Sequence, residues 1–239
     1  MRALVSEQVV QQYIKYLIAA NESIVVSGSL DVDKTKFIQD KMIPYMGEEV
    51  YVITDREYDY RNFGHVNLID PAIRMIEDIS DRSVSLIVDK KEYKDMINYM
   101  LYKHDNCICN HNLVYTLDFS DSKDVLHAVR FRIAEKTMNN DRALIYTRRL
   151  LSNIIMLDIN DAGETYVKAL LVREANGIEQ CIQYKAVFAV DGIGSEYKVC
   201  NLPPLELIQD IVDSSNTDSD EVKAYFIDNF IKNISLQSK

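Results

Sequence analysis

A chain of 239 residues that is 47% hydrophobic buries a sizeable core, which excludes collagen, simple disorder and a miniature disulfide scaffold. A formal net charge of −10 repels phosphate backbones and disfavours a nucleic-acid partner. Four cysteines, Cys107, Cys109, Cys181 and Cys200, are few and irregularly spaced, as in a chain that keeps its thiols reduced in the cytoplasm.

The chain opens on an amphipathic helix, with Val9, Val10, Tyr13, Ile14, Leu17 and Ile18 on one face and polar residues between them. No apolar run approaches the roughly 20 residues of a spanning helix, so the expectation is a cytoplasmic protein, at most held at the inner face of the membrane by its partners. The strand-like run "SIVVS" leads through "GSLDVD" to a helix expected over 34–46. "EVYVIT" and "HVNLI" follow, then a helix announced by Asp70 as N-cap and Pro71 at its first position. "VSLIVD", a helix over about 91–103 and "NLVYTLDF" complete an alternating pattern. Each strand is short and rich in branched residues, as a sheet covered on both faces requires.

The second half changes character. Helical patterns over about 120–136 and 141–151 precede three strand-like runs, "NIIMLDI", "ETYVKALLVREA" and "EQCIQYKAVFAV", and Asn176-Gly177 between the last two is a hairpin signal. A layer of antiparallel hairpins is therefore expected after the parallel core. Beyond Pro203-Pro204 come a helix to about Val212, the polar linker "DSSNTDSD" and an amphipathic tail, "EVKAYFIDNFIKNI". This tail must bury its apolar face on its own domain, on a second copy or in another protein.

The stretch "GSLDVDKT" has the spacing of the phosphate-binding loop G-x-x-x-x-G-K-[ST], with Gly28, Lys34 and Thr35 in place and Asp33 where the second glycine belongs. A carboxylate about 4 Å from a phosphate charge opposes binding by about 4 kcal/mol at an effective dielectric of 20. Asp33 is also a natural N-cap for the helix that follows, stabilising it by about 1 kcal/mol and serving its anion preference internally. The other chemistry-bearing residues are less organised. His104, Cys107, Cys109 and His111 cluster in "HDNCICNH" without a second ligand pair of zinc-site spacing, so no metal is expected there. Tyr13, Tyr16, Tyr99 and Tyr102 have helical spacing suited to core or interface, and Arg148 with Arg149 suits a helix C-terminus.

In the order of these segments the chain resembles the C-terminal RecA-like motor domain of the type II/IV secretion and type IV or Tad pilus traffic ATPases, over residues 6–191. The helix entering "SIVVSGS" is similar to the family's approach to its phosphate loop, "VYVITDREYD" falls at its acidic box, "SLIVDKKEYKDM" at its Walker B segment and "DSKDVLHAVRFRI" after its catalytic histidine. The resemblance implies a RecA-like P-loop fold: a mostly parallel α/β sheet with helices on both faces, then antiparallel hairpin strands. It implies a motor-like domain over 1–200 and a helical extension over 201–239.

Set against the family, the catalytic letters differ. The first acidic-box glutamate maps to Thr54 with Asp55 retained, and Lys90 follows Asp89 where the family has Gly-Glu. The histidine maps to Asp118 without gaps, or to Asn112 beside His111. Hydrolysis needs a base, a metal and compensation of phosphate charge together. The expectation is a pseudo-ATPase without a cofactor, a monomer or dimer that acts on protein partners such as an active traffic ATPase or an inner-membrane platform protein. The alternative is an unusual Mg-dependent NTPase in which Lys34, Thr35, Asp55 and Asp89 hold Mg-ATP.

Overall fold

A computed structural model describes residues 4–47, 49–54, 60, 66–68, 85–89, 112–174, 182–190, 196–214 and 218–237. The expected helices at 71 onward and 91–103, the "HDNCICNH" cluster, Tyr99, Tyr102, Asn176-Gly177, Asp55, Lys90 and Cys181 lie outside the described residues.

The described strands are β1 (Leu4–Ser6), β2 (Ser23–Ser27), β3 (Val50–Thr54), β4 (Val66–Leu68), β5 (Ser85–Asp89), β6 (Asn112–Leu117), β7 (Asn153–Ile159), β8 (Thr165–Arg173), β9 (Tyr184–Val190) and β10 (Glu196–Val199). They form one ten-stranded mixed sheet in the order β1-β10-β9-β8-β7-β2-β6-β5-β3-β4. From β7 to β4 every pairing is parallel, and from β7 outward to β1 every pairing is antiparallel. The antiparallel hairpin strands expected after the parallel core extend its sheet at β7. A further strand went unforeseen: Leu4–Ser6 pairs with β10 and forms the outer edge.

Among the described residues the helices are α1 (Glu7–Ala19), α2 (Lys34–Lys41), α3 (Ser122–Thr137), α4 (Asn140–Leu150), α5 (Leu205–Ser214), α6 (Ser219–Phe226) and α7 (Lys232–Gln237). The helix expected over 34–46 stops at Lys41. A 3₁₀ turn over Ile43–Tyr45 follows, with Pro44 removing a backbone donor that a continuing α-helix would use.

Both faces of the parallel part of the sheet are covered, and the alternation of strand side chains divides the core in two. Ile24 and Val26 of β2 join Val52, Ile87, Val114 and Ile155 under α1, α2 and the C-terminal helices. Val25 joins Ile53, Leu86, Leu113 and Tyr115 under α3 and α4.

The C-terminal tail closes on its own domain. Val222, Phe226 and Phe230 are buried in the first cluster, where Tyr13 meets Phe188, Phe226 and Phe230 at centroid distances of 5.6, 6.1 and 5.9 Å. The Tyr225 hydroxyl donates to the Val9 carbonyl at 2.7 Å. A π-helical turn over Ile227–Ile231 makes this register work. Four α-helical steps overshoot a full turn by about 40°, so Val222, Phe226 and Phe230 would drift around a regular helix; the wider turn brings Phe230 back over the core. Tyr13 and Tyr16 are thus core residues, and Leu207, Ile211, Val222, Phe226 and Phe230 share the hydrophobic core of the sheet.

Candidate functional site at the carboxyl end of β2

Chain direction singles out one place along the sheet. The chain leaves β2 for α2 on one face and leaves β6 for α3 on the other, although β2 and β6 are neighbours. Open parallel sheets bind ligands outside the carboxyl ends of strands that part in this way. The loop 28–33, Lys34, Thr35 and Asp118 all lie there.

The loop is folded inward. Val32 is only 4% exposed and belongs to the core cluster beneath α2, so an apolar side chain anchors the loop from below. The Val32 amide donates to the Ser29 carbonyl at 3.2 Å and the Lys34 amide to the Val32 carbonyl at 3.0 Å, which turns two loop donors onto the loop itself. Gly28 permits the closure: a Cβ there would lie 3.0 Å from the Leu157 carbonyl oxygen and 3.2 Å from the Val32 Cβ.

Asp33 is the N-cap of α2, its Oδ1 accepting from the Lys36 amide at 3.0 Å. Its φ of −80° is open to any L-residue, so the backbone at this position does not require glycine. The carboxylate acts through its charge. With exposed Asp31 it gives the loop two negative groups where a phosphate loop has none.

Lys34 is buried, and its ammonium is fully engaged. Its Nζ donates to the carbonyl oxygens of Ser29 at 2.9 Å and Val32 at 3.3 Å and forms an ion pair with Asp118 at 2.8 Å. Those three partners match the three N–H groups of an ammonium. The gapless placement of the relic catalytic position at Asp118 thus falls in the site. Asn112 begins β6 at the opposite, amino end of the parallel strands, where its Nδ2 donates to the Ile18 carbonyl at 2.9 Å.

Asp89, at the end of β5, is the second centre. Its Oδ2 accepts from Thr35 Oγ1 at 2.6 Å and from the Tyr60 hydroxyl at 2.8 Å, and its Oδ1 accepts from Thr116 Oγ1 at 3.0 Å. All four residues are buried. A buried carboxylate is costly without partners, and three hydroxyl donors stabilise its charge where no cation touches it among the described residues. Thr54 stands beside Asp89 in the β3–β5 ladder, so it too reaches this edge.

Tyr60 and Thr116 were missed in the sequence. Thr116 had a signal, a small hydroxyl side chain among the large residues of the strand interior "LVYTL" two residues before Asp118. Tyr60, within "DREYDYRN", had none. The structure brings together Gly28, Asp33, Lys34, Thr35, Asp89 and Asp118. Among the described residues no cluster of three or more His, Cys, Asp or Glu side chains is arranged to hold a metal ion.

No model of a known protein family matches this chain, and no characterised protein sequence matches it.

Proposed function

We propose that this chain is a catalytically inactive relative of the secretion and pilus traffic ATPases, with a RecA-like fold, that works as a scaffold or regulatory subunit through protein contacts. The observation carrying this reading is that the phosphate-loop-like site is filled by its own side chains. Lys34 has its three donors on Ser29, Val32 and Asp118, and Asp89 accepts from Thr35, Tyr60 and Thr116. In P-loop NTPases the lysine cradles phosphates while the Ser/Thr and the strand-end Asp hold Mg²⁺. Here the same residue types hold one another.

As folded, these residues do not fit Mg-nucleotide. A γ-phosphate would meet an ammonium without a free N–H and two extra loop carboxylates, and a cation would have to displace hydroxyl hydrogens from Asp89. One observation favours the alternative of a working NTPase: the 2.6 Å contact between Thr35 and Asp89 pairs the two residue types that hold Mg²⁺ in such enzymes.

Phosphate release from Mg-ATP separates the readings. The pseudo-ATPase reading expects the purified protein to match a Lys34→Ala control, and a rate that requires both Lys34 and Mg²⁺ would overturn it. Light scattering tests the assembly expected for a subunit of this kind: a monomer or dimer accords with it, and a stable hexamer would point to a ring-forming motor.

A further inference from the structure

The other end of β2 has the opposite character. A cavity of about 330 Å³ opens where the carboxyl end of β8 and the start of β9 meet the Pro203-Pro204 turn and the first turn of α5, and a smaller one of about 90 Å³ adjoins it. The two share Val172, Arg173, Pro204 and Glu206, so they form one cleft. Its volume is that of a small-molecule site, for which roughly 300–1,000 Å³ is usual.

The chemistry of the cleft is divided along its length. Val172, Val187, Leu202, Pro204 and Leu205 make an apolar wall in the larger part. Leu202 and Leu205 remain 36% and 74% exposed, a large area for two leucines beside a cavity. The smaller part is lined by three acidic residues, Glu22, Glu206 and Asp210, and by Arg173.

Their partners differ from those of the closed site. Among the described residues Arg173, Glu206 and Asp210 have no side-chain hydrogen bond or ion pair, whereas Glu174 at the rim is paired with Lys185. Glu22 accepts from Asn153 Nδ2 at 3.2 Å. Burial holds its carboxyl above the usual range, Asp210 adds to the rise, and Ser152, Asn153 and Arg173 draw it back. The cleft thus offers a guanidinium without a hydrogen-bonded side-chain partner among the described residues, a surplus of carboxylates and an adjoining apolar wall. A bound molecule that meets all three carries an anion, a cation and an apolar group on a compact frame.

We infer that this cleft binds a free α-amino acid with a large apolar side chain. The ligand carboxylate pairs with Arg173, the ammonium with the Glu22, Glu206 and Asp210 group, and the side chain lies on Val172, Val187 and Leu202. Guanidinium–carboxylate pairing supplies the directional contact. Leaving one partner unmatched in a partly desolvated site is the source of discrimination.

Titration calorimetry on the full chain tests this with L-leucine and L-phenylalanine as probes, beside leucinamide, which lacks the carboxylate, and N-acetyl-leucine, which lacks the ammonium. Binding of leucine or phenylalanine at about millimolar or tighter is expected, with both truncated analogues weaker by about tenfold or more. Arg173→Gln should weaken leucine about tenfold and leave leucinamide unchanged, and Asp210→Asn should weaken leucine and leave N-acetyl-leucine unchanged, circular dichroism confirming that each variant is folded. No heat from either amino acid at concentrations about tenfold above millimolar would overturn the inference. So would leucinamide binding as tightly as leucine, which would mark a peptide N-terminus as the ligand, or an Arg173→Gln variant that binds leucine like the parent.

Discussion

The two ends of β2 were built to different rules. At the carboxyl end Lys34, Thr35, Asp89, Tyr60, Thr116 and Asp118 hold one another, so the polar groups that resemble a ligand site are internal structure. At the amino end Glu22 lines a cleft in which, among the described residues, Arg173, Glu206 and Asp210 have no side-chain hydrogen bond. Identity of residue type is therefore a poor guide to binding on this sheet. Whether a polar group still has donors or acceptors to offer is the better one.

The sharpest way to break this comparison is to remove a centre from each end. Asp89→Ala removes the acceptor shared by the Thr35, Tyr60 and Thr116 hydroxyls, and three hydrogen bonds at about 0.5–1.5 kcal/mol each sum to about 2–4 kcal/mol. Arg173→Gln removes a charge with no hydrogen-bonding partner and should change stability by about 0.5 kcal/mol or less. Chemical denaturation of the two variants should show that contrast, and equal midpoints would dissolve it.

A smaller loss is expected from Gly28→Ala. The new Cβ meets the Leu157 carbonyl oxygen and Val32, neither the end of a flexible chain, so the loop must lift. About 1–3 kcal/mol is expected for such overpacking. An unaltered melting temperature would mean that the loop is not seated on β7.

At the amino end the effect follows pH. Because the Glu22 carboxyl titrates above its ordinary range when folded, the native state binds more protons than the unfolded state between the two values. Stability from this group is fully present below the unfolded pKa and is lost as pH rises through the folded one. Glu22→Gln mimics the protonated form, so its stability relative to the parent should rise between pH 4 and pH 7. A difference that is flat or falls across that interval would contradict the burial of Glu22.

The smallest effect belongs to the surface of the hairpin extension. Lys168 lowers the Asp158 carboxyl through a hydrogen bond at 2.9 Å, and the folded-state depression contributes stability above the unfolded pKa that is lost as pH falls through the folded one. Both side chains are about half exposed, so Lys168→Ala should cost roughly 0.5 kcal/mol or less. A cost above about 1 kcal/mol would mean that this exposed pair, which joins β7 to β8, contributes more than a solvent-screened ion pair can.

How far the sequence revealed this can be followed residue by residue. The β2–loop–α2 unit, Asp33 as a helix cap and the apolar face of α1 were visible because each is a local pattern whose meaning depends on near neighbours. The edge strand Leu4–Ser6 was hidden, since three residues show no alternation and their partner, β10, lies near the other end of the chain. Tyr60 and Thr116 were hidden for a related reason. Their shared bond to Asp89 joins three segments distant in sequence, and no spacing rule reports that a hydroxyl from each converges on one carboxylate. The cleft at Arg173 was equally illegible, being a product of sheet order and of the tail folding back onto its own domain.

The phosphate-loop-like site is closed by its own side chains. Titration calorimetry with Mg-ATP on the parent protein, on Asp33→Gly and on Lys34→Ala tests it most directly. The account predicts no binding tighter than about millimolar in the parent. It also predicts that Asp33→Gly lowers thermal stability through loss of the cap and leaves affinity nearly unchanged, because Lys34 and Asp89 stay engaged. Micromolar affinity in the parent that disappears in Lys34→Ala would contradict it.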